Sequence, residues 1–305
     1  MKKNKSWPYI LLSLVLLIVM IAAKPSDKAS RPDGWTQITS PPNDLIIGIL
    51  TTERNPGLTD PDAQETVSDS EAYADSENLD FTLNPDGKSY SVARGAFVAS
   101  VLKIPASHNG LPVTEIAPYA FYTDENITTL RLPGSIRVIG ESAFYCCEKL
   151  TEIEIPDSVT SIGNHAFMGC VNARTLIIGG GVREMGVQAF FACENLQKVR
   201  ITDGVSAIGT SAFSECVSLR DIRIPASVTE IGAFAFDQCY DLAHVELPAG
   251  FSLLAIKTFG DCKSLESIQF IGTVDDWYAL PKETNWELRS AIHTIFCTDG
   301  EVPIG

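Results

Sequence analysis

Histidine is scarce in this chain of 305 residues, and so are the motifs with which enzymes hold metals and phosphates. None of the four histidines has metal-ligand spacing to another His or Cys, so we interpret them as scattered surface residues. Neither Gly-x-Ser-x-Gly nor His-Glu-x-x-His occurs. The glycine run at 179–181 lacks the lysine of a phosphate loop and is better interpreted as a turn. We therefore expect no catalytic residue, no metal and no cofactor. The histidines are His108, His165, His244 and His293.

Basic residues are also few. Lys plus Arg number 23 against 38 Asp plus Glu, which gives a formal net charge of −15, and residues 81–305 carry −10 of that charge. A nucleic-acid-binding domain shows a positive electrostatic footprint. The acidic balance therefore argues against nucleic acid as a partner.

Phenylalanine, in contrast, recurs at a constant interval of 23 residues. A fixed period of roughly 20 to 50 residues is the signature of a solenoid, in which each coil contacts only its neighbours. Six of the seven phenylalanines follow an alanine, and we expect each pair in a short helical turn whose aromatic ring fills the coil. The seven are Phe121, Phe144, Phe167, Phe190, Phe213, Phe236 and Phe259.

Cysteine and glycine follow the same period, which predicts that they too occupy core positions of a repeated coil. Each coil also contains a segment of the form Leu-x-x-Ile-x-Ile, which alternates like a β-strand. The glycines would permit a positive φ or a close backbone approach. The cysteines are Cys147, Cys170, Cys193, Cys216, Cys239 and Cys262, and the glycines are Gly140, Gly163, Gly186, Gly209 and Gly232.

The whole unit reads Leu-x-x-Ile-x-Ile-Pro-x-Ser-Val-Thr-x-Ile-Gly-x-x-Ala-Phe-x-x-Cys and is clearest at 150–170 and 219–239. It resembles the BspA-like, or Treponema pallidum type, leucine-rich repeat of bacterial surface proteins, over about residues 90–300. The resemblance implies an α/β leucine-rich repeat solenoid that is rich in β-structure. A parallel sheet would form one face, short helical turns and short strands the other, with caps at about 81–111 and 270–305. The implied function is non-catalytic binding at the cell surface, as an adhesin-like protein.

The six periodic cysteines allow two interpretations. Eight cysteines in an exported protein can indicate disulfides. The shared phase with phenylalanine and glycine favours instead a buried ladder of small apolar thiols. Because neighbouring coils can bring Cα atoms within disulfide range, both alternatives stay open.

The N-terminal residues indicate export. Three lysines precede an apolar run at residues 7–23, which is typical of a signal peptide and is just long enough to remain as a membrane anchor. Residues 1–23 thus form a signal peptide or anchor, and membrane contact is expected only through residues 7–23. Either way, the repeats would lie outside the cell.

Between that segment and the repeats, residues 24–80 carry a net charge of −8 and are expected to be an acidic, largely disordered stalk before the solenoid domain at 81–305. Residues 44–52 (Asp-Leu-Ile-Ile-Gly-Ile-Leu-Thr-Thr) are the exception, because they are strand-like and could pair with an unidentified partner.

The x positions of Leu-x-x-Ile-x-Ile face outward, since successive strand residues point to opposite faces of a sheet. Five basic residues converge there on the middle coils, flanked by glutamates. We expect a monomeric domain that binds a protein or an acidic glycan through them. The alternatives are a structural envelope protein with no dedicated ligand, whose charges are only solvated, and an accessory module of a surface enzyme. This basic cluster consists of Arg174, Lys198, Arg200, Arg220 and Arg223, with Arg200 and Arg223 expected at its centre.

Overall fold

The computed structural model describes residues 78–304, and these form a stack of coils that confirms the predicted β-rich leucine-rich repeat solenoid. A repeated coil contributes one strand to a long sheet and, in most cases, a two-residue strand to a second sheet. The predicted signal segment, the strand-like residues 44–52 and nearly all of the predicted stalk lie outside the described residues.

From β5 to β16, strands of the long sheet alternate along the chain with strands of the opposite face. They are β1 (Asp80–Leu83), β2 (Tyr90–Ala93), β3 (Val101–Lys103), β4 (Ser107–His108), β5 (Leu111–Ile116), β6 (Thr129–Arg131), β7 (Val138–Ile139), β8 (Glu152–Ile155), β9 (Ser161–Ile162), β10 (Thr175–Ile178), β11 (Glu184–Met185), β12 (Lys198–Ile201), β13 (Ala207–Ile208), β14 (Asp221–Arg223), β15 (Glu230–Ile231), β16 (His244–Pro248), β17 (Ser267–Ile271), β18 (Thr294–Cys297) and β19 (Gly300–Pro303). One helix, α1 (Val274–Ala279), lies between β17 and β18.

The long sheet has ten strands in the order β19-β18-β17-β16-β14-β12-β10-β8-β6-β3. Neighbouring strands are parallel, apart from β19, which pairs antiparallel with β18. Burial alternates along each strand: in β8, Ile153 and Ile155 are buried while Glu152 and Glu154 are exposed. The Leu and Ile positions of the repeat therefore build the core, and the x positions build an outer face.

The short strands form a second sheet in the order β1-β2-β5-β7-β9-β11, with β4 paired to β5, and β13 pairs with β15 further along. β4 and β5 form a tight hairpin, in which Asn109 and Gly110 take φ values of 49° and 77°. Two consecutive residues with positive φ match the twist of a two-residue hairpin.

The turn around each Ala-Phe pair is a run of hydrogen-bonded turns rather than a short helix. In one coil the amide of Phe144 donates to Ala166 of the next coil at 2.7 Å, whereas the amide of Tyr145 donates within its own coil to Ser142 at 3.2 Å. Ser142 and Cys146 have φ values of 51° and 52°. These left-handed residues interrupt the helical path. As a result, alternate amides point to the neighbouring coil, and their hydrogen bonds join successive coils.

The core of the solenoid is a continuous stack of phenylalanine rings. From Phe121 to Phe259 the seven rings are fully buried, and successive centroids lie 5.0–5.5 Å apart with interplanar angles of 4–10°. Phe97 and Trp286 meet the two ends of the stack edge-on. The stack ends where the repeat ends, because edge-to-face rings present no parallel face to a further coil.

The periodic glycines serve close approach, not a positive φ. A Cβ on Gly140 would lie 2.5 Å from the backbone nitrogen of Pro118, and one on Gly163 would lie 2.6 Å from that of Glu141. Neither glycine has a positive φ. The sequence left two roles open for these glycines, and the structure shows the second: the backbone of one coil passes too close to the next for a side chain to fit.

The six ladder cysteines are fully buried and carry free thiols. Each thiol donates a hydrogen bond to the carbonyl oxygen of the phenylalanine one repeat before, at 3.1–3.4 Å. Burial raises the pKa of the Cys147 and Cys193 thiols to about 12. Of the two interpretations of the periodic cysteines, the structure therefore shows the buried ladder of free thiols. The hydrogen bond from each thiol to a phenylalanine carbonyl was not predicted from the sequence pattern.

Polar contacts close the ladder at its N-terminal end. Asp124 occupies the cysteine register one coil before Cys147 and is fully buried. Its carboxylate lies 2.9 Å from Nε of Arg94 and accepts hydrogen bonds from the amides of Asn126 and Ile127. A buried charge is stable here because it is both paired and hydrogen-bonded.

The C-terminal end is closed by helix α1 and two tryptophans. Thr273 caps the helix, and its hydroxyl and the Asp276 carboxylate form a reciprocal capping box. Trp277 packs edge-on against Phe270, and Trp286 does so against Phe259. Large aromatic rings thus cover the core where no further coil follows.

Candidate binding surface on the ten-stranded sheet

The outer face of the ten-stranded sheet is built from two columns of outward side chains. Parallel pairing places Thr175 beside Lys198 and Ile177 beside Arg200, one coil apart in the same register. Because the alternation of the strand repeats in every coil, each column runs straight across the sheet. A row of side chains far apart in sequence is therefore held on one rigid surface.

All five residues of the basic cluster are exposed on this face or at its edge. Lys198, Arg200 and Arg223 lie within β12 and β14, while Arg174 and Arg220 lie just before β10 and β14. The five positions predicted from the repeat pattern thus belong to three successive coils.

The charges of the cluster are unequally available. Arg223 forms an ion pair with Glu246 of the next strand, Nε to Oε1 2.9 Å, and its side chain is 72% exposed. Within residues 78–304, the side chains of Arg174, Lys198, Arg200 and Arg220 form no ion pair. The two arginines expected at the centre of the cluster therefore differ: Arg200 has no ion pair within the described domain, whereas Arg223 is already paired with Glu246.

An acidic residue also divides the cluster. Asp221 lies directly beside Lys198 in the register of β12 and β14. On its other side it faces His244, whose Nε2 lies 4.0 Å from the Asp221 carboxylate. The surface therefore has a more basic part on the coils of Arg174 and Arg200, and a mixed part around Asp221.

The mixed part contains a shallow, open depression that the repeat pattern did not predict. It is lined by Arg220, Asp221, Asp241, Ala243, His244 and Ser264. The residues come from the coil boundaries just before the strands as well as from the strands themselves. Only the stacking of three coils brings them together, so the sequence contains no local signal for this feature.

The described residues also bear on two other possibilities, a metal site and a membrane-spanning helix. Within 78–304, no group of three or more His, Cys, Asp or Glu side chains is placed to hold a metal ion. His165 contacts Gln188 and His108 stacks on Phe81, so these two histidines pack against protein groups. In the same part of the chain, no helix is both long enough and apolar enough to cross a membrane.

The stacked coils, the parallel sheet and the capped ends define a leucine-rich repeat solenoid. The family model of the BspA type leucine rich repeat region matches residues 114–242 and 185–279, with six copies of the repeat. The chain belongs to this family, as its repeat unit predicted. Proteins built from this repeat are typically non-catalytic.

Several solved structures are similar to the chain. A leucine-rich repeat protein of T. pallidum is 32% identical, with 67% of this chain and 88% of that chain covered and a TM-score of 0.49. A leucine-rich cell surface protein from Faecalibacterium prausnitzii is 23% identical, with 72% and 75% covered and a TM-score of 0.46. A leucine-rich repeat protein from Bacteroides ovatus is 23% identical, with 72% and 70% covered and a TM-score of 0.41. No curated protein sequence matches the chain significantly.

Proposed function

We propose that this protein is a non-catalytic binding protein of the bacterial cell surface and that the basic cluster contacts an acidic glycan. The location is supported by the export features of residues 1–23 and by membership of a repeat family found in surface proteins. The single observation that carries the binding proposal is the row of exposed, unpaired cations on the sheet. Arg174, Lys198 and Arg200 stand on neighbouring coils in a domain whose net charge is negative.

A sulfated or carboxylated glycan suits this surface chemically. The planar guanidinium of arginine can grip a sulfate or carboxylate group with two hydrogen bonds. The strands that carry the side chains are already ordered, which limits the entropy lost on binding. The net charge of the domain is negative and repels polyanions, so the attraction between the glycan and the basic cluster must be local. At physiological salt this attraction is screened within roughly 8–10 Å.

The test compares two polymers that differ only in charge, dextran sulfate and unsulfated dextran, as ligands of the full chain in titrations at rising salt. We expect binding to dextran sulfate alone, weakening with salt. The double substitution Arg200→Ala with Arg223→Ala should weaken it by about tenfold or more, roughly 1.4 kcal/mol. The variant Lys198→Ala with Arg200→Ala should do the same while leaving the Arg223–Glu246 pair intact.

The matched control removes two exposed lysines elsewhere, Lys88→Ala with Lys149→Ala. It changes the net charge by the same amount and should alter the affinity by less than about twofold, as expected for charges outside the contact. Equal weakening in the control and in the cluster variants would show that only net charge matters. Absence of binding to either polymer would favour the structural alternative, a surface protein whose sheet charges are merely solvated.

A further inference from the structure

The ten-stranded sheet has one open edge, at β3. On its paired side, the carbonyl of Ser100 accepts hydrogen bonds from the amides of Thr128 and Thr129, and the amide of Ile104 donates to Arg131 at 3.1 Å. Successive backbone groups of a strand point to opposite edges, so the N–H and C=O groups of Val101 and Lys103 face away from β6. Among residues 78–304, no strand pairs with that side.

Two exposed side chains at this edge, those of Val98 and Val101, are apolar. Val101 is 45% exposed and shares its register with Thr129, and the same column continues through Glu152, Thr175 and Lys198. Val98, just before the strand, is 70% exposed. Open edges are normally protected by charges, prolines or short strands, because they invite pairing with another strand. β3 has only three residues, carries Lys103 and is followed by Pro105, yet Val98 and Val101 stay exposed beside its unpaired backbone groups. β19, at the opposite end of the sheet, carries Glu301 and ends at Pro303.

The chain enters the described domain next to the segment that leads into β3. The carbonyl of Asn78 accepts a hydrogen bond from the amide of Ala96 at 2.9 Å, two residues before Val98. Asn78, the first described residue, therefore lies at the end of the solenoid where β3 is open. Residues 53–77, which join this point to residue 52, can extend to about 80 Å, so residues 44–52 can reach β3.

Residues 44–52 have the composition that such an edge accepts. They contain Leu45, Ile46, Ile47, Ile49 and Leu50 within a region of net charge −8, and these are strand-forming or apolar residues. Their single charge is that of Asp44, opposite in sign to Lys103, the single charge of β3. A strand tethered in the same chain also has an effective concentration on the order of mM, which favours it over a separate molecule.

We propose that residues 44–52 add a strand to the open edge of β3 and so form an eleventh strand of the long sheet. The added strand would pair with the backbone groups of Val101 and Lys103 and cover Val98 and Val101. It would hold the N-terminal region against the first coil and prevent edge-to-edge pairing between copies of the protein.

Amide hydrogen exchange on the full chain, kept in detergent because of its N-terminal apolar run, tests this pairing. The amides of Val101 and Lys103 should exchange at least tenfold more slowly in the parent protein than in the variant Ile47→Lys with Ile49→Lys. These substitutions lie outside the described domain, so its folding is not at stake. The control Val67→Lys with Ala74→Lys adds the same charges between the segment and the domain and should leave the protection unchanged.

Three results would overturn the proposal. Rapid exchange at both amides in the parent protein would show that the edge stays open. Protection that survives Ile47→Lys with Ile49→Lys and grows with protein concentration, together with a dimer in light scattering, would assign the edge to a second copy. Equal loss of protection in the control would attribute the effect to charge rather than to the segment.

Discussion

The thiol of Cys147 donates a hydrogen bond to the carbonyl oxygen of Phe121, 3.1 Å away across the boundary between two coils. The neighbouring residue Cys146 is only half-buried and lies outside the ladder. Two adjacent cysteines thus have different surroundings. The pair allows the contribution of the ladder position to be measured against a control one residue away.

We expect Cys147→Ala to lower the free energy of unfolding by about 1–2 kcal/mol, because it leaves a small cavity and removes the hydrogen bond to Phe121. Cys146→Ala should cost less, about 0.5 kcal/mol, since part of its side chain meets solvent. Urea denaturation of the two variants measures both values. Equal costs would show that the ladder position contributes nothing specific.

The thiol ladder should be inaccessible and reduced in the folded protein. Buried thiols with a raised pKa react slowly, because the thiolate is the nucleophile. A thiol-reactive chromophore, added under non-reducing conditions, should leave the six ladder cysteines unmodified until the protein is unfolded. All six should then react. Recovery of fewer than four on unfolding would support the disulfide alternative.

Stability should fall at alkaline pH because of these thiols. Burial raises the pKa of Cys147 and Cys193 from 9.0 to about 12, so above pH 9 the unfolded chain releases protons that the folded protein retains. A group with a raised folded pKa loses its stabilising contribution as the pH rises from its unfolded to its folded value. The loss at pH 10 should be roughly 1 kcal/mol for each thiol.

Urea midpoints measured at pH 8 and pH 10 check this expectation. The decrease between the two pH values should be smaller in Cys147→Ala with Cys193→Ala than in the parent protein. Cys146→Ala with Cys297→Ala removes two cysteines outside the ladder whose pKa values burial also raises, to about 11 and about 12, so this variant too should show a smaller decrease than the parent protein. An identical decrease in the parent and the ladder variant would contradict the assignment.

Gly163→Ala should destabilise the solenoid, although in most ordered backbone positions alanine is more stabilising than glycine. The new Cβ would meet the backbone nitrogen of Glu141 at 2.6 Å, and a backbone atom inside a stack of coils cannot move aside cheaply. Overpacking of this kind costs about 1–3 kcal/mol. Gly134→Ala is the matched control, because no atom lies within 4 Å of its Cβ position. Thermal denaturation should separate the two, and equal midpoints would contradict close approach as the reason for Gly163.

The repeat period, together with the residue types that recur at each phase of it, was enough to predict the class of fold, the inward residues and the family. The reason is physical: a coil of 23 residues cannot bury its own faces, so every coil must present the same inward pattern to its neighbours. Phe144, Cys170 and Ile153 could therefore be assigned to the core from their phase. The outward position of Arg200 followed from the two-residue alternation of a strand.

Only the tertiary structure decided how those positions interact. The left-handed turns at Ser142 and Cys146 arise because alternate amides must reach the next coil, a requirement that appears only once coils are stacked. The ion pair of Arg223 with Glu246 and the position of Asp221 beside Lys198 depend on the register between strands. Outward side chains bury little surface and so leave no periodic signal, whereas inward side chains are repeated because each coil must fit the next.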